Sequence, residues 1–321
     1  MKTTSTILLI FCLIANALSQ ERKPAGGGEF QYDRESNCLS NEQREEVIHM
    51  LEKNIAELKR ENLVNENNQR SNVIVTFDWP LQKTSGLSFN SYYATNNFVD
   101  QDNGSGLLDY HCDARTYNNH NGTDIDTWPF PWYIYDNNFV EVIAGAAGTI
   151  VGKTDGNDDD HCSCLGNWNA VFVQHTDGST AWYGHLKKNS LTTKSIGQTV
   201  AKGEYLGVVA SSGCSTQPHL HFEVRDASNN LIDPYYDNCN SLNGSSWWVS
   251  QPPNREPTLN ALLTHDAVPV HGCPGGNETP NISNTFTPGQ TVYVATYYHD
   301  QLNGHVSNLK IRKPDNSIWQ S

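Results

Sequence analysis

Between Val73 and Asp237 the chain runs as a succession of short β-prone segments parted by Gly, Asn and Asp. That pattern restricts the fold more than any other feature, because short alternating runs with turn signals between them build antiparallel sheet. The runs are Val73–Phe77, Val140–Ala144, Gly148–Val151, Ala170–His175, Ala181–Leu186, Tyr205–Ala210 and His219–Val224. Asp155-Gly156 and Asp177-Gly178 supply turns among them. No long helical pattern interrupts the series, so a mainly β domain is expected over residues 71–237. With 17% charged and 37% apolar or aromatic residues, the chain has the balance of a globular protein with a core. Acidic residues outnumber basic ones, 35 to 21, for a formal charge of -14. This balance repels phosphate backbones and anionic lipid, so neither nucleic acid nor a membrane surface is expected as a partner.

The flanks read differently. Lys2 followed by the apolar run Ile7–Leu18 and then small residues reads as a signal peptide over residues 1–20. The run is too short to cross a bilayer comfortably, so secretion without a membrane anchor is expected. Residues 21–70 form an N-terminal segment with a flexible polar lead and one amphipathic helix from Ser40 to about Asn62. Ser40 and Gln43 make a capping box, and Val47, Ile48, Leu51, Ile55 and Leu58 share one face. A lone helix needs a surface to pack on, so it serves either as a pro-segment or as a simple support. Residues 238–321 begin at Trp247-Trp248 and Pro252-Pro253 and carry a strand pattern at Thr291–Tyr298 and another at Val306–Ile311. They suggest a small β-sandwich-like region, short enough that the natural product is expected to continue. Loss of the first twenty residues leaves seven cysteines. Export permits disulfides. Cys239 with Cys273 is the expected pair, and Cys38 the expected leftover thiol.

Three motifs carry chemistry. In His219-Leu220-His221, residues i and i+2 of a strand point to the same face, about 6.5–7 Å apart along the strand. This spacing suits one metal ligand and one catalytic neighbour. His120 and Asp124 flank Gly122, whose lack of a side chain permits a tight turn that can bring imidazole and carboxylate to one ion. With a second imidazole this is a two-His, one-carboxylate set of the kind that holds zinc and leaves a fourth position for water. Tyr183-Gly184-His185-Leu186 adds a further imidazole, with the Tyr183 hydroxyl beside it. The aromatic insertion from Asp126 to Tyr135 either lines a substrate groove or packs on the sheet. Asp158-Asp159-Asp160 is read as a solvated acidic loop, with calcium as the alternative.

Together with the Gly197–Gly203 turn and Pro218-His219-Leu220-His221-Phe222-Glu223-Val224, these motifs resemble the lysostaphin-type (LytM-like) zinc metalloendopeptidases. The resemblance covers about His120 to Pro234. It implies a barrel-sandwich-hybrid catalytic domain with a groove open at both ends. It also implies Zn2+ held by His120, Asp124 and His221, with His185 and His219 as catalytic groups that manage protons and the oxyanion. The implied substrate is a peptidoglycan peptide. The alternatives are a Gly-rich extracellular protein, or a non-catalytic wall-binding or regulatory module. Asn121-Gly122-Thr123 matches a glycosylation acceptor beside the expected metal, which favours a source, such as a bacterium, that leaves it unmodified.

Overall fold

A computed structural model describes residues 38–64, 74–273 and 278–320. The expected signal peptide and the polar lead lie outside these residues. The centre is an antiparallel sheet in which the strands follow the order Tyr93–Asn97, Thr123–Thr127, His219–Arg225, Thr180–Gly184, Ala170–Gln174, Gly148–Thr154 and Thr199–Val200. Leu231–Ile232 pairs with the end of the His219–Arg225 strand. The β-prone runs thus become strands, with shifts of a few residues at their ends. Residues 74–77, the described part of the Val73–Phe77 run, do not. Of these, Phe77 alone makes a bridge, parallel to Trp248. The Val75 amide donates to the Asp177 carboxylate at 2.8 Å and the Phe77 amide to the Trp247 carbonyl, so these donors are not used in a ladder.

The period of two separates the sheet into two faces. On one, Val171, Val173, Ala181, Tyr183, Leu220, Phe222 and Val224 join a large core with Val140, Val142 and Leu206 of a second, three-stranded sheet. On the other, Val151, Ala170, Phe172 and Trp182 pack with Val47, Leu51 and Leu58 of the helix Asn41–Arg60. The helix starts with the expected capping box, in which the Ser40 and Gln43 side chains each accept from the other's backbone amide. It lies against the strand Gly148–Thr154, where a Cβ on Gly152 would come within 2.7 Å of Leu51 Cδ2. The absent side chain lets helix and strand meet closely.

The aromatic insertion becomes the short helix Pro131–Asp136, preceded by Phe130, and Phe130, Trp132 and Ile134 are buried by packing. In the acidic loop, Asp159 accepts from the Lys188 amide and the Tyr135 hydroxyl, and Asp158 pairs with Lys188 at 3.0 Å. Toward the C-terminus, Thr258–His265 pairs with Tyr293–His299 and Ile311–Arg312 with Ile318–Gln320. The expected run Val306–Ile311 keeps only its last residue in a strand, and Val306 is exposed.

The disulfides are Cys112–Cys239, Cys162–Cys273 and Cys164–Cys214, which overturns the expected pairing of Cys239 with Cys273. Both of those cysteines reach back to residues before 165 and tie the later part of the chain to the β domain. The expectation failed because closeness in sequence says little about which loops the tertiary fold brings together. Cys38 is free, as expected, and buried.

Candidate metal centre

The strand His219–Arg225 organises the site. Its ladder sets His221 opposite Asp124 on one neighbour and opposite Gly184 on the other. His219, His221 and Glu223 therefore share the face that the helix covers, while Leu220, Phe222 and Val224 anchor the strand in the core. His120 stands in the turn before the strand Thr123–Thr127, and Gly122 makes the approach possible: a Cβ there would lie 2.5 Å from His221 Cε1.

Three atoms converge. His120 Nε2 lies 3.2 Å from Asp124 Oδ1 and 3.3 Å from His221 Nδ1, and His221 Nδ1 lies 3.0 Å from Asp124 Oδ1. Two ligands of one tetrahedral zinc at about 2.0–2.1 Å are themselves about 3.3 Å apart, so this triangle is of the right size. The outer hydrogen bonds fix the tautomers. His120 donates Nδ1–H to the Phe98 carbonyl at 2.7 Å, and His221 donates Nε2–H to Glu223 Oε2 at 3.3 Å. Each inner ring nitrogen is then a lone pair facing a carboxylate and another lone pair, an arrangement that calls for a cation. Glu223 is held in turn by Arg44 at 2.6 and 2.7 Å and by Arg225 at 2.7 Å. Asn97 donates to Asp124 Oδ2 at 3.2 Å, leaving Oδ1 for the centre.

Proton affinities express the same demand for positive charge. Burial pushes His120 down, but the Asp124 carboxylate outweighs it and raises the imidazole to about 9. Burial pushes Asp124 up, yet the facing histidines, His120 foremost, hold it well below the usual carboxylate range.

The other two histidines stand beside the triangle. His185, in a left-handed backbone conformation with φ 63°, donates Nδ1–H to the Ser212 carbonyl at 2.6 Å, and its buried Nε2 has no hydrogen-bond partner among the described residues. His219 directs Nδ1 to the Gln217 carbonyl at 2.9 Å, and its Nε2 lies 3.6 Å from Asp124 Oδ1. The two rings are 4.4 Å apart between centroids. Burial lowers His185, with His219 adding repulsion, whereas Asp124 overrides burial at His219 and raises it to about 9. All five expected site residues thus come together, each at most 7% exposed. Tyr183 does not join them. Its ring packs in the core, and its hydroxyl accepts from the Gly145 amide at 3.0 Å.

Sequence reasoning missed Glu223, Tyr117 and Cys38 as parts of the site. Glu223 was legible, since it follows His221 by two residues on the same strand face. Tyr117 stacks on His120 with centroids 4.2 Å apart and hydrogen-bonds Cys38 Sγ at 2.7 Å. No local pattern signals that contact.

Residues 118–234 match Peptidase family M23. Among curated proteins, the chain is 44% identical over 59 residues to the cell division protein DipM of Caulobacter vibrioides, covering 18% of this chain and 9% of that protein. It is 43% identical over 60 residues to the DD-carboxypeptidase/endopeptidase Mpg of Neisseria meningitidis, covering 19% and 13%. The match therefore spans only a small part of either relative's length. Among solved structures, the catalytic domain of lysostaphin from Staphylococcus simulans is 22% identical, with 45% of this chain and 90% of that one covered and a TM-score of 0.28. The M23 protein EnpA from Enterococcus faecalis is also 22% identical, with 49% and 95% covered and a TM-score of 0.30. Over residues 118–234, then, this chain is similar to Peptidase family M23.

Proposed function

We propose that this chain is a secreted zinc-dependent endopeptidase that hydrolyses the peptide cross-links of peptidoglycan. The observation that carries the reading is the convergence of His120 Nε2, Asp124 Oδ1 and His221 Nδ1, with each imidazole's other nitrogen committed outward. A zinc ion held there supplies Lewis acidity and acidifies water toward neutral pH. The remaining work falls to side chains. His185, kept neutral by burial, offers an unpartnered Nε2 lone pair that takes a proton from the attacking water. His219 commits Nδ1 to the Gln217 carbonyl and turns Nε2 toward the metal triangle, 3.6 Å from Asp124 Oδ1, so that an Nε2–H there donates to the scissile carbonyl oxygen as negative charge develops. Such a split between two neighbouring groups is how one site holds both a base and an acid.

The substrate class rests on the domain family and on a curated relative whose name is that of a carboxypeptidase and endopeptidase. Export is supported by three disulfides, which persist in oxidising compartments. Among the described residues, no helix is long and apolar enough to cross a membrane.

The test is metal content by mass spectrometry on wild type and His221→Ala, purified without chelator, followed by hydrolysis of purified peptidoglycan and of a Gly-rich elastin-like protein. About one zinc per wild-type chain, lost in the variant, is expected, with peptidoglycan cleaved by a chain carrying Cys38→Ala, which clears the space between the site histidines. Cleavage of the elastin-like protein alone would move the substrate to extracellular protein. A wild type that takes up no zinc would end the enzyme reading in favour of a binding module.

A further inference from the structure

Cys38 precedes the helix cap by two residues and is far from every motif, yet its sulfur sits at the centre of the site. Its Sγ and the ligand atoms of His120, Asp124 and His221 all lie within 4.8 Å of one another, and the same holds for Cys38 with His185 and His219. Sγ therefore occupies the space between the metal triangle and the two catalytic histidines. Attacking water and scissile carbonyl must both enter that space. Tyr117 anchors the sulfur from the outside by its hydroxyl at 2.7 Å.

We propose that Cys38 is a fourth, protein-supplied ligand of the metal, and that residues 38–64 hold the enzyme in a latent form. The inference rests on the zinc-peptidase reading above. On binding, the thiol gives its proton to solvent and the sulfur–zinc bond takes the coordination position that a catalytic site keeps open. Tyr117 is then the donor of the remaining hydrogen bond.

Three further contacts fit a latch rather than a chance thiol. Arg44, one turn into the helix, grips Glu223 with both carboxylate contacts, so the helix is fastened to the residue that orients His221. Gln43 donates to the Gly166 carbonyl and to Asn167 Oδ1, pinning the helix start to the rim formed by Trp168. Trp168 lies edge-on to His185, and it packs in the same cluster as Leu39, which is buried next to Cys38. The consequence is burial of all five site residues to 7% exposure or less, which leaves a peptide substrate no access. Movement of the helix start would free the coordination position and uncover the histidines in one step.

Zinc-edge X-ray absorption on the full zinc-loaded chain decides the ligand, and hydrolysis of purified peptidoglycan decides latency. The expected spectrum has one sulfur scatterer at about 2.3 Å beside nitrogen and oxygen at about 2.0–2.1 Å. The sulfur disappears in Cys38→Ala, and hydrolysis rises at least tenfold. A wild-type spectrum with nitrogen and oxygen only overturns the proposal even if the enzyme is active, and it does so whether or not the variant folds. A sulfur scatterer with equal activity in wild type and variant keeps the ligand and overturns latency. Sulfur in the wild type with a zinc-loaded but inactive Cys38→Ala keeps the ligand and removes the peptidase reading instead. A chain that binds no zinc in either form removes both.

Discussion

Single side chains in this site act through what they leave free. His185 spends Nδ1–H on Ser212 and keeps a bare Nε2. Its ring packs edge-on against His221 at 5.9 Å between centroids, but it contributes none of the three atoms of the triangle, so its substitution by alanine removes no ligand. We expect His185→Ala to retain zinc and to lose about 10²–10⁴-fold in kcat, measured in a form with the site open, such as one carrying Cys38→Ala. Retained kcat would remove His185 from the proposed chemistry. Glu223 works at one remove, by fixing the ring of His221 while Arg44 and Arg225 hold it in place. Glu223→Gln is expected to weaken zinc binding about 10–100-fold in a chelator competition without abolishing it. Unchanged affinity would reduce the contact to a structural one. Gly122 shows the opposite economy, a residue needed for what it lacks, because any Cβ there meets the His221 ring.

At the scale of elements, the N-terminal helix belongs to the fold and the site together. Its apolar stripe lies on Val151, Phe172 and Trp182, and its first turn reaches Glu223. Leu51 is buried in this cluster, so Leu51→Ala is expected to cost about 2–5 kcal/mol of the helix's docking. Limited proteolysis should show cleavage within residues 41–60 rising before the β domain is lost. A variant as protected as wild type would mean the helix is held by something other than this face. The strand His219–Arg225 divides its residues by parity, with Leu220, Phe222 and Val224 to the core and His219, His221, Glu223 and Arg225 to the other face, so it both anchors itself and presents the chemistry.

At the scale of the molecule, two bridges join distant parts of the chain. Cys112–Cys239 spans 127 residues and Cys162–Cys273 spans 111. Removing the first by paired alanine substitution is expected to lower stability to urea by up to about 4–5 kcal/mol, as loop-closure entropy predicts. A second whole-molecule property is set by Asp233. Burial pushes its carboxyl up to about 8, outweighing the hydrogen bonds from the Tyr235 amide and Gln101. The unfolded carboxyl titrates near 3.9, so between about pH 4 and 8 the folded chain holds a proton that the unfolded chain has lost. Stability from this group is full below that window and declines as pH rises through it, by at most about 1.4 kcal/mol per unit. Urea unfolding at pH 5 and pH 8 should show a smaller decline in Asp233→Asn than in wild type. Equal declines would mean Asp233 is ionised in the fold.

The strands, the capped helix and the five expected site residues were legible because each is local. Alternation of period two, a box spanning Ser40 to Gln43, and His-x-His on one strand are properties of a few neighbouring residues, and backbone geometry translates them directly. Fold class follows from that alone, whereas the choice of His120, Asp124 and His221 as the triangle came from the resemblance to the lysostaphin-type peptidases. The pairing of Cys112 with Cys239, the withdrawal of Tyr183 into the core, the use of residues 74–77 outside the sheet and the arrival of Cys38 between the histidines were decided only in three dimensions. Each depends on which distant surfaces meet, and that is set by the burial of two apolar faces of one sheet. The helix had to cover one of those faces, and in doing so it carried its leading cysteine into the site.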